Sequence, residues 1–133
     1  MARPLRVAIV GAGIGGLTAA ACLRRVGIDV RIYEQARAFA RLGAGIQQAP
    51  NSIRVLRELG LEPTLRRLAF QPEINRSRDF DTGAVTNTQT LGAEVESRYG
   101  APYFLMHRGD LHAALAGLVP CAEIGISMIS LSV

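Results

Sequence analysis

The feature that most limits how this 133-residue chain can fold lies near its start. Residues 5–10 (LRVAIV) form an apolar run without alternation, which predicts a parallel strand buried on both faces. Gly11-Ala12-Gly13-Ile14-Gly15-Gly16 follows, and residues 14–26 (IGGLTAAACLRRV) read as a helix rich in Ala and Leu. Arg24 and Arg25 fall in its last turn, where cations suit the negative end of the helix dipole, and Gly27 supplies the stop. Residues 28–34 (IDVRIYE) predict a second strand, with Val30, Ile32 and Glu34 on one face and Asp29, Arg31 and Tyr33 on the other. Strand, tight glycine turn, helix and strand make a βαβ unit, whose strands lie parallel and whose crossover is right-handed. The fold class this predicts is α/β, opening on the first unit of a doubly wound sheet.

The turn fits the spacing G-x-G-x-x-G, with Gly11, Gly13 and Gly16 at the three demanded places and Gly15 between them. The first glycine permits a tight turn. The second leaves out a side chain that would hold a pyrophosphate away from the backbone, and the third lets the helix pack close to the strand. The helix N-terminus then offers unpaired N–H groups and a positive dipole end to phosphate. In isolation such a spacing is an ordinary turn. Here it follows an apolar strand, opens a helix, and is answered by Glu34 at the end of the next strand, about 20 residues on. A carboxylate there accepts hydrogen bonds from ribose hydroxyls and repels a 2′-phosphate. The constellation predicts a Rossmann-type dinucleotide site and disfavours NADP in it. It does not separate FAD from NAD, so an NAD-binding domain of another dehydrogenase class stays open at this point.

Farther on, residues 35–49 read as a long connection containing Leu42-Gly43-Ala44-Gly45-Ile46, whose glycines suggest backbone passing close to another group. Pro50-Asn51-Ser52 opens a helix over 52–59, with Ile53, Leu56 and Leu59 on one face and Gly60 at its end. Residues 64–69 add a helical turn or two. Between 73 and 91, two polar segments flank Asp81-Thr82-Gly83, which predicts a β-hairpin. Residues 102–107 (PYFLMH) predict a short strand, Asp110 is the expected cap of a helix over 111–118, and the alternation of Ile124, Ile126 and Met128 predicts one more strand.

Charge and cysteine usage narrow the function classes. The net charge is +4, and all 15 basic residues are Arg. They stand singly or in pairs, with few aromatics to stack on bases, so a nucleic-acid patch is not expected. Residues 7–23 carry no charge and follow Arg3 and Arg6, which imitates a leader or a short membrane span. Four glycines interrupt the run, and a buried strand, turn and helix explain it better. Cys22 and Cys121 make neither a zinc site nor a disulfide framework; both are expected reduced, in a cytoplasmic protein. No metal site is expected.

Four segments carry a more specific signal: Glu34-Gln35-Ala36, Arg41-Leu42-Gly43-Ala44-Gly45-Ile46-Gln47, Pro50-Asn51, and His107-Arg108-Gly109-Asp110-Leu111. Together with the glycine turn they resemble the single-component flavoprotein aromatic hydroxylases, the group acting on salicylate-, hydroxybenzoate- and hydroxynicotinate-type carboxylates. The resemblance runs from Leu5 to about Val119. It implies an α/β, Rossmann-like FAD-binding domain, incomplete and with a β-hairpin insertion. Residues 1–133 are then expected to be the N-terminal part of such a domain, with a poorly matching tail over 120–133. It implies FAD as bound cofactor, NAD(P)H as co-substrate of the intact enzyme, dioxygen as oxidant and a small aromatic substrate. It places Gly15 with Gly11, Gly13 and Gly16 in the pyrophosphate turn, Glu34 at the adenosine ribose with Gln35 beside it, Gln47 near the ribityl chain and flavin, and Arg108 reaching the cofactor. The hydroxynicotinate-type members look nearest, yet at the position of Gln47 they resemble a histidine base. A glutamine takes up no proton at neutral pH, so no catalytic acid or base is assigned. The alternative expectation is a dinucleotide-binding module without turnover. His107 and His112 are read as structural.

Overall fold

The glycine turn sits where the sequence puts it, between a strand and the helix it opens. The computed structural model describes residues 5–36, 44–120 and the backbone of 124–126. In chain order the elements are β1 (Arg6–Val10), α1 (Ile14–Arg25), β2 (Asp29–Glu34), β3 (Gly45–Gln48), α2 (Pro50–Glu58), α3 (Glu62–Leu68), β4 (Ile74–Arg78), β5 (Val85–Thr90), α4 (Gly92–Tyr99), β6 (Phe104–His107), α5 (Arg108–Ala116) and β7 (Ile124–Ile126). They fall into two units, Met1–Gly43 with Arg108–Val133, and Ala44–His107.

In the first unit β1, β2 and β7 form a parallel sheet in that order. Val7 lies opposite Val30 and Ile9 opposite Ile32. On the other side of β2, Ile32 lies opposite Ile124 and Glu34 opposite Ile126. The expected strand after Pro120 is thus present over 124–126; Met128 and Cys121 lie outside the described residues. Helix α1 packs on β2 and on α5. Its buried residues are Leu17, Ala20 and Ala21, those of α5 are Leu111 and Leu115, and those of β2 are Val30 and Ile32. Small residues on α1 let its backbone come close to its neighbours while leucines fill the remaining space.

One expectation for this unit is corrected. β1 is not buried on both faces: its residues alternate between exposed and half-buried, and Val10 is 75% exposed. Among the described residues β1 has only β2 as a strand neighbour. Apolar composition reports what a strand is suited to, whereas its burial depends on which elements lie against it.

In the second unit β3 and β6 pair antiparallel, Gly45 opposite His107 and Gln48 opposite Phe104. Phe70 bridges to Leu105 on β6. Ile53 and Leu56 of α2, Leu65 of α3, Val95 of α4, and Phe104 and Met106 of β6 make the core. Part of the predicted connection 35–49 is therefore strand, because β6 supplies a pairing partner that the glycine-rich sequence does not announce. Helix α2 begins at Pro50 rather than Ser52; proline is suited to the first helical position, where its missing N–H is not needed. Helix α4 was not anticipated. It ends on Gly100 in the left-handed region, φ 70°, and its rim is held by side chains of other helices. Arg54 donates to the Tyr99 carbonyl and Arg57 to that of Gly100, the latter at 2.8 Å. Arg57 also pairs with Glu62, and Arg66 with both Glu62 and Glu96.

The hairpin is as predicted, β4 with β5, and all its strand residues are exposed. Its turn is organised by Asp79, whose Oδ1 accepts from the N–H of Asp81 (3.1 Å), the N–H of Thr82 (2.8 Å) and the Thr82 hydroxyl (2.7 Å). Helix α5 begins at Arg108, not after Asp110, so Asp110 lies within the first turn instead of capping it. A carboxylate is favourable there because it faces the positive end of the helix dipole. Among the described residues no helix is long and apolar enough to cross a membrane.

Candidate functional site

The turn between β1 and α1 uses its glycines for two different reasons. Gly11 has φ 96°, a conformation side chains rarely adopt, and its N–H donates to the Tyr33 carbonyl at 2.7 Å, extending the pairing of β1 with β2. At Gly16 a Cβ would stand 2.0 Å from the Gly11 carbonyl oxygen and 3.3 Å from Ile9 Cγ2. The first turn of α1 therefore lies against the strand end, and only glycine fits. Gly13 and Gly15 are different. Gly13 is the N-cap of α1 in extended conformation, and a Cβ at either position would meet nothing within 4 Å. The protein's own packing does not demand glycine at these two places, which leaves open space in front of the helix end.

That end is electrostatically suited to an anion. No side chain caps α1, and no acidic residue stands in its first turn. The N–H groups of a first helical turn have no intrahelical acceptors and carry the positive end of the dipole.

Glu34 closes the site from the end of β2. Its Oε2 accepts from the Ala12 N–H at 2.7 Å, and its Oε1 accepts from the Ala36 N–H at 2.8 Å. These two amides, Ala36 foremost, hold the carboxyl below the usual carboxylate value against a smaller desolvation effect, and His112 adds a weaker attraction. The carboxylate is thus ionised and half-buried. Each oxygen keeps acceptor capacity beyond its backbone bond, enough for a vicinal diol.

A residue without any local signal completes the arrangement. His112, on α5, places Nε2 2.7 Å from the Ala12 carbonyl. A carbonyl only accepts, so this nitrogen carries the proton. Ala12 is 1% exposed, and both of its backbone polar groups are satisfied by side chains from distant parts of the chain.

The chain that carries this turn and carboxylate is similar to known proteins. A family described as FAD binding domain matches residues 4–110. The chain belongs to this family. Over 115 residues it is 45% identical to 6-hydroxynicotinate 3-monooxygenase of Bordetella bronchiseptica, covering 86% of this chain and 30% of that protein. It is 50% identical to a 3-amino-4-hydroxybenzoate 2-monooxygenase of Streptomyces platensis, covering 86% and 29%. Among solved structures, Klebsiella pneumoniae HpxO complexed with FAD and uric acid superimposes with a TM-score of 0.77 at 26% identity, covering 90% of this chain and 30% of that one. A 2-methyl-3-hydroxypyridine-5-carboxylic acid oxygenase does so with a TM-score of 0.73 at 29% identity, covering 88% and 29%. The chain spans about a third of the length of these relatives.

Within this FAD binding domain the expected site residues are distributed as follows. Gly11, Gly13, Gly15, Gly16 and Glu34 form one constellation in the first unit. Gln35 directly follows Glu34 with an exposed side chain. Arg108 is exposed and stands first in α5, which also carries His112. Gln47 belongs to the second unit, on the exposed side of β3, whereas its neighbour Gln48 is buried. Arg41, Leu42 and Gly43 lie outside the described residues. Cys22 is a half-buried free thiol on α1.

Proposed function

We propose that this chain holds the adenosine diphosphate part of FAD in a flavin-dependent monooxygenase that hydroxylates an aromatic or hydroxypyridine carboxylate with NAD(P)H and dioxygen. The carrying observation is the open space at Gly13 and Gly15, set before an uncapped helix end and beside an ionised Glu34. The residues fit the nucleotide. The first turn of α1 donates to the pyrophosphate, and the absent side chains let it approach the backbone. Glu34 accepts from the ribose hydroxyls through acceptor sites that Ala12 and Ala36 leave over, and Gln35 borders the same group. Arg108 is a cation available to the cofactor, and Gln47 offers an amide to the ribityl chain or flavin but cannot serve as a base. When bound, the flavin supplies the redox chemistry, accepting hydride and activating dioxygen. The relatives named for hydroxynicotinate and aminohydroxybenzoate support the substrate class.

A second reading is a flavin-nucleotide-binding module without turnover, favoured by the fact that the glycine turn and Glu34 make a nucleotide site with no catalytic acid or base assigned beside it. Titration of FAD with the full chain, followed by flavin fluorescence, tests what both readings share. Saturable binding is expected, and Gly13→Val should abolish it while the chain stays folded, because the isopropyl group would fill the pyrophosphate space. Retention of stoichiometric FAD by Gly13→Val would remove the turn from the site.

A further inference from the structure

We propose that His112 is a positioning residue of the pyrophosphate turn, fixing the direction in which the Gly13 N–H points. The inference rests on the nucleotide-binding reading above and adds to it a residue about a hundred positions away in sequence. Each peptide group is planar and trans, so its C=O and N–H point in opposite directions. The peptide between Gly11 and Ala12 is held by Glu34, which accepts from the Ala12 N–H. Its other end, the Gly11 carbonyl, accordingly points the opposite way, toward the Cα of Gly16, where a Cβ would collide with it. The next peptide, between Ala12 and Gly13, is held by His112, which donates from Nε2 to the Ala12 carbonyl. Its other end is the Gly13 N–H, which must then point away from α5. Two successive peptides are thus oriented by two side chains, one from β2 and one from α5, and no side-chain cap on α1 competes with them.

The arrangement is costly to disrupt locally. Ala12 is buried, so losing the His112 N–H leaves a buried carbonyl without its acceptor role fulfilled, and the peptide is free to rotate toward another donor. Rotation turns the Gly13 N–H away from the pyrophosphate. The packing of α1 on α5 supplies the rigid frame that makes the hydrogen bond a clamp.

The test uses the full chain and three versions of position 112. His112→Phe keeps ring volume and removes the donor; His112→Gln restores an N–H donor at similar reach. Amide hydrogen exchange over residues 11–16, without cofactor, is expected to accelerate about 3- to 10-fold in His112→Phe, the range of one ordinary hydrogen bond. Exchange in β2 and in the rest of α5 should stay at the wild-type rate, which a general packing defect would not allow. His112→Gln should return the turn to within about twofold of wild type. FAD affinity should follow the same order, weaker by a similar factor in the Phe variant and restored in the Gln variant. Equal exchange in wild type and His112→Phe, or a Gln variant that behaves as the Phe variant does, overturns the clamp. If His112→Phe unfolds outright, a folded Gln variant with wild-type exchange supports the proposal and an unfolded one overturns it. If the wild-type chain takes up no FAD, the nucleotide reading fails for this chain, and the exchange measurements alone decide the role of His112.

Discussion

Gly16 and Gly13 are three positions apart, and the fold's own packing demands glycine at the first but not at the second. A methyl group at Gly16 would run into the Gly11 carbonyl, a backbone atom that cannot step aside. Gly16→Ala should therefore destabilise the chain by about 1–3 kcal/mol, the usual range for overpacking. Gly13→Ala should change stability by less than about 1 kcal/mol, since Gly13 has φ −73° and meets open space. Denaturant unfolding of both variants checks this ordering, and the reverse order would show that the helix does not lie against the strand end as described. Glu34 gives a second prediction at this scale. Its folded-state carboxyl is held below its ordinary value by the Ala36 and Ala12 amides. The stabilisation it contributes is thus complete above the ordinary carboxylate value and disappears as pH falls through the lowered one. The difference in unfolding midpoint between wild type and Glu34→Gln should be constant from neutral pH down to about 5 and shrink below about 4. A difference that grows in acid would contradict the assignment.

The hairpin of β4 and β5 is the element with the least support from burial, because every strand residue is exposed and the ribbon has only two strands. Two-stranded ribbons are marginal in water, so its turn chemistry decides its order. Asp79 holds that turn with three hydrogen bonds and is itself kept ionised by the Thr82 N–H and hydroxyl. Gly83, at φ 70°, closes it. Asp79→Ala should raise amide exchange throughout β4 and β5 by about tenfold or more, while the unfolding midpoint of the chain barely moves. A large fall in that midpoint would mean that the hairpin is coupled to the core. Helices α2, α3 and α4 behave in the opposite way. Their buried Ile53, Leu65 and Val95 share one core, and Arg57, Glu62, Arg66 and Glu96 lace their rims. Exposed ion pairs of this kind contribute little individually, so the apolar residues carry the stability of this group.

For the molecule as a whole, the sheet of the first unit sets a limit on what the polypeptide can do unaided. Its described strands number three, β1 has a single strand neighbour among the described residues, and Val10 on it and Leu5 just before it are exposed. The monooxygenase relatives are about three times as long as the matched region. The residues assigned to the site, Gly11 to Gly16 and Glu34, serve the nucleotide end of FAD and none is assigned a role at an aromatic ring, so the 133-residue polypeptide is expected to show no NAD(P)H-dependent hydroxylation of salicylate, 3-hydroxybenzoate or 6-hydroxynicotinate with added FAD. Where bound flavin is open to solvent, dioxygen would take its two electrons and leave as hydrogen peroxide instead of transferring oxygen to a ring. Product detection by chromatography against a no-protein control decides the matter, and hydroxylated product would show that the residues present suffice.

The sequence by itself determined the βαβ opening, the place of the glycine turn, its acidic answer at Glu34, the hairpin and the family, because each depends on local spacing or on residue types side by side. Helix α4 and strand β3 escaped that reading: α4 is only eight residues long and opens on Gly92 with no side-chain cap to announce it, and β3 is a strand only because β6 lies beside it. The burial of β1 was misjudged for the same reason, since a neighbour, or its lack, is not written into the strand. At the site, spacing could name Gly11, Gly13 and Gly16 but could not say that Gly16 is demanded by a carbonyl and Gly13 by none. Nor could it join His112 to Ala12, which only the packing of α5 on α1 brings within hydrogen-bond reach. Hydrogen bonds between residues so far apart leave no periodic trace in a chain, and the tertiary structure alone decides them.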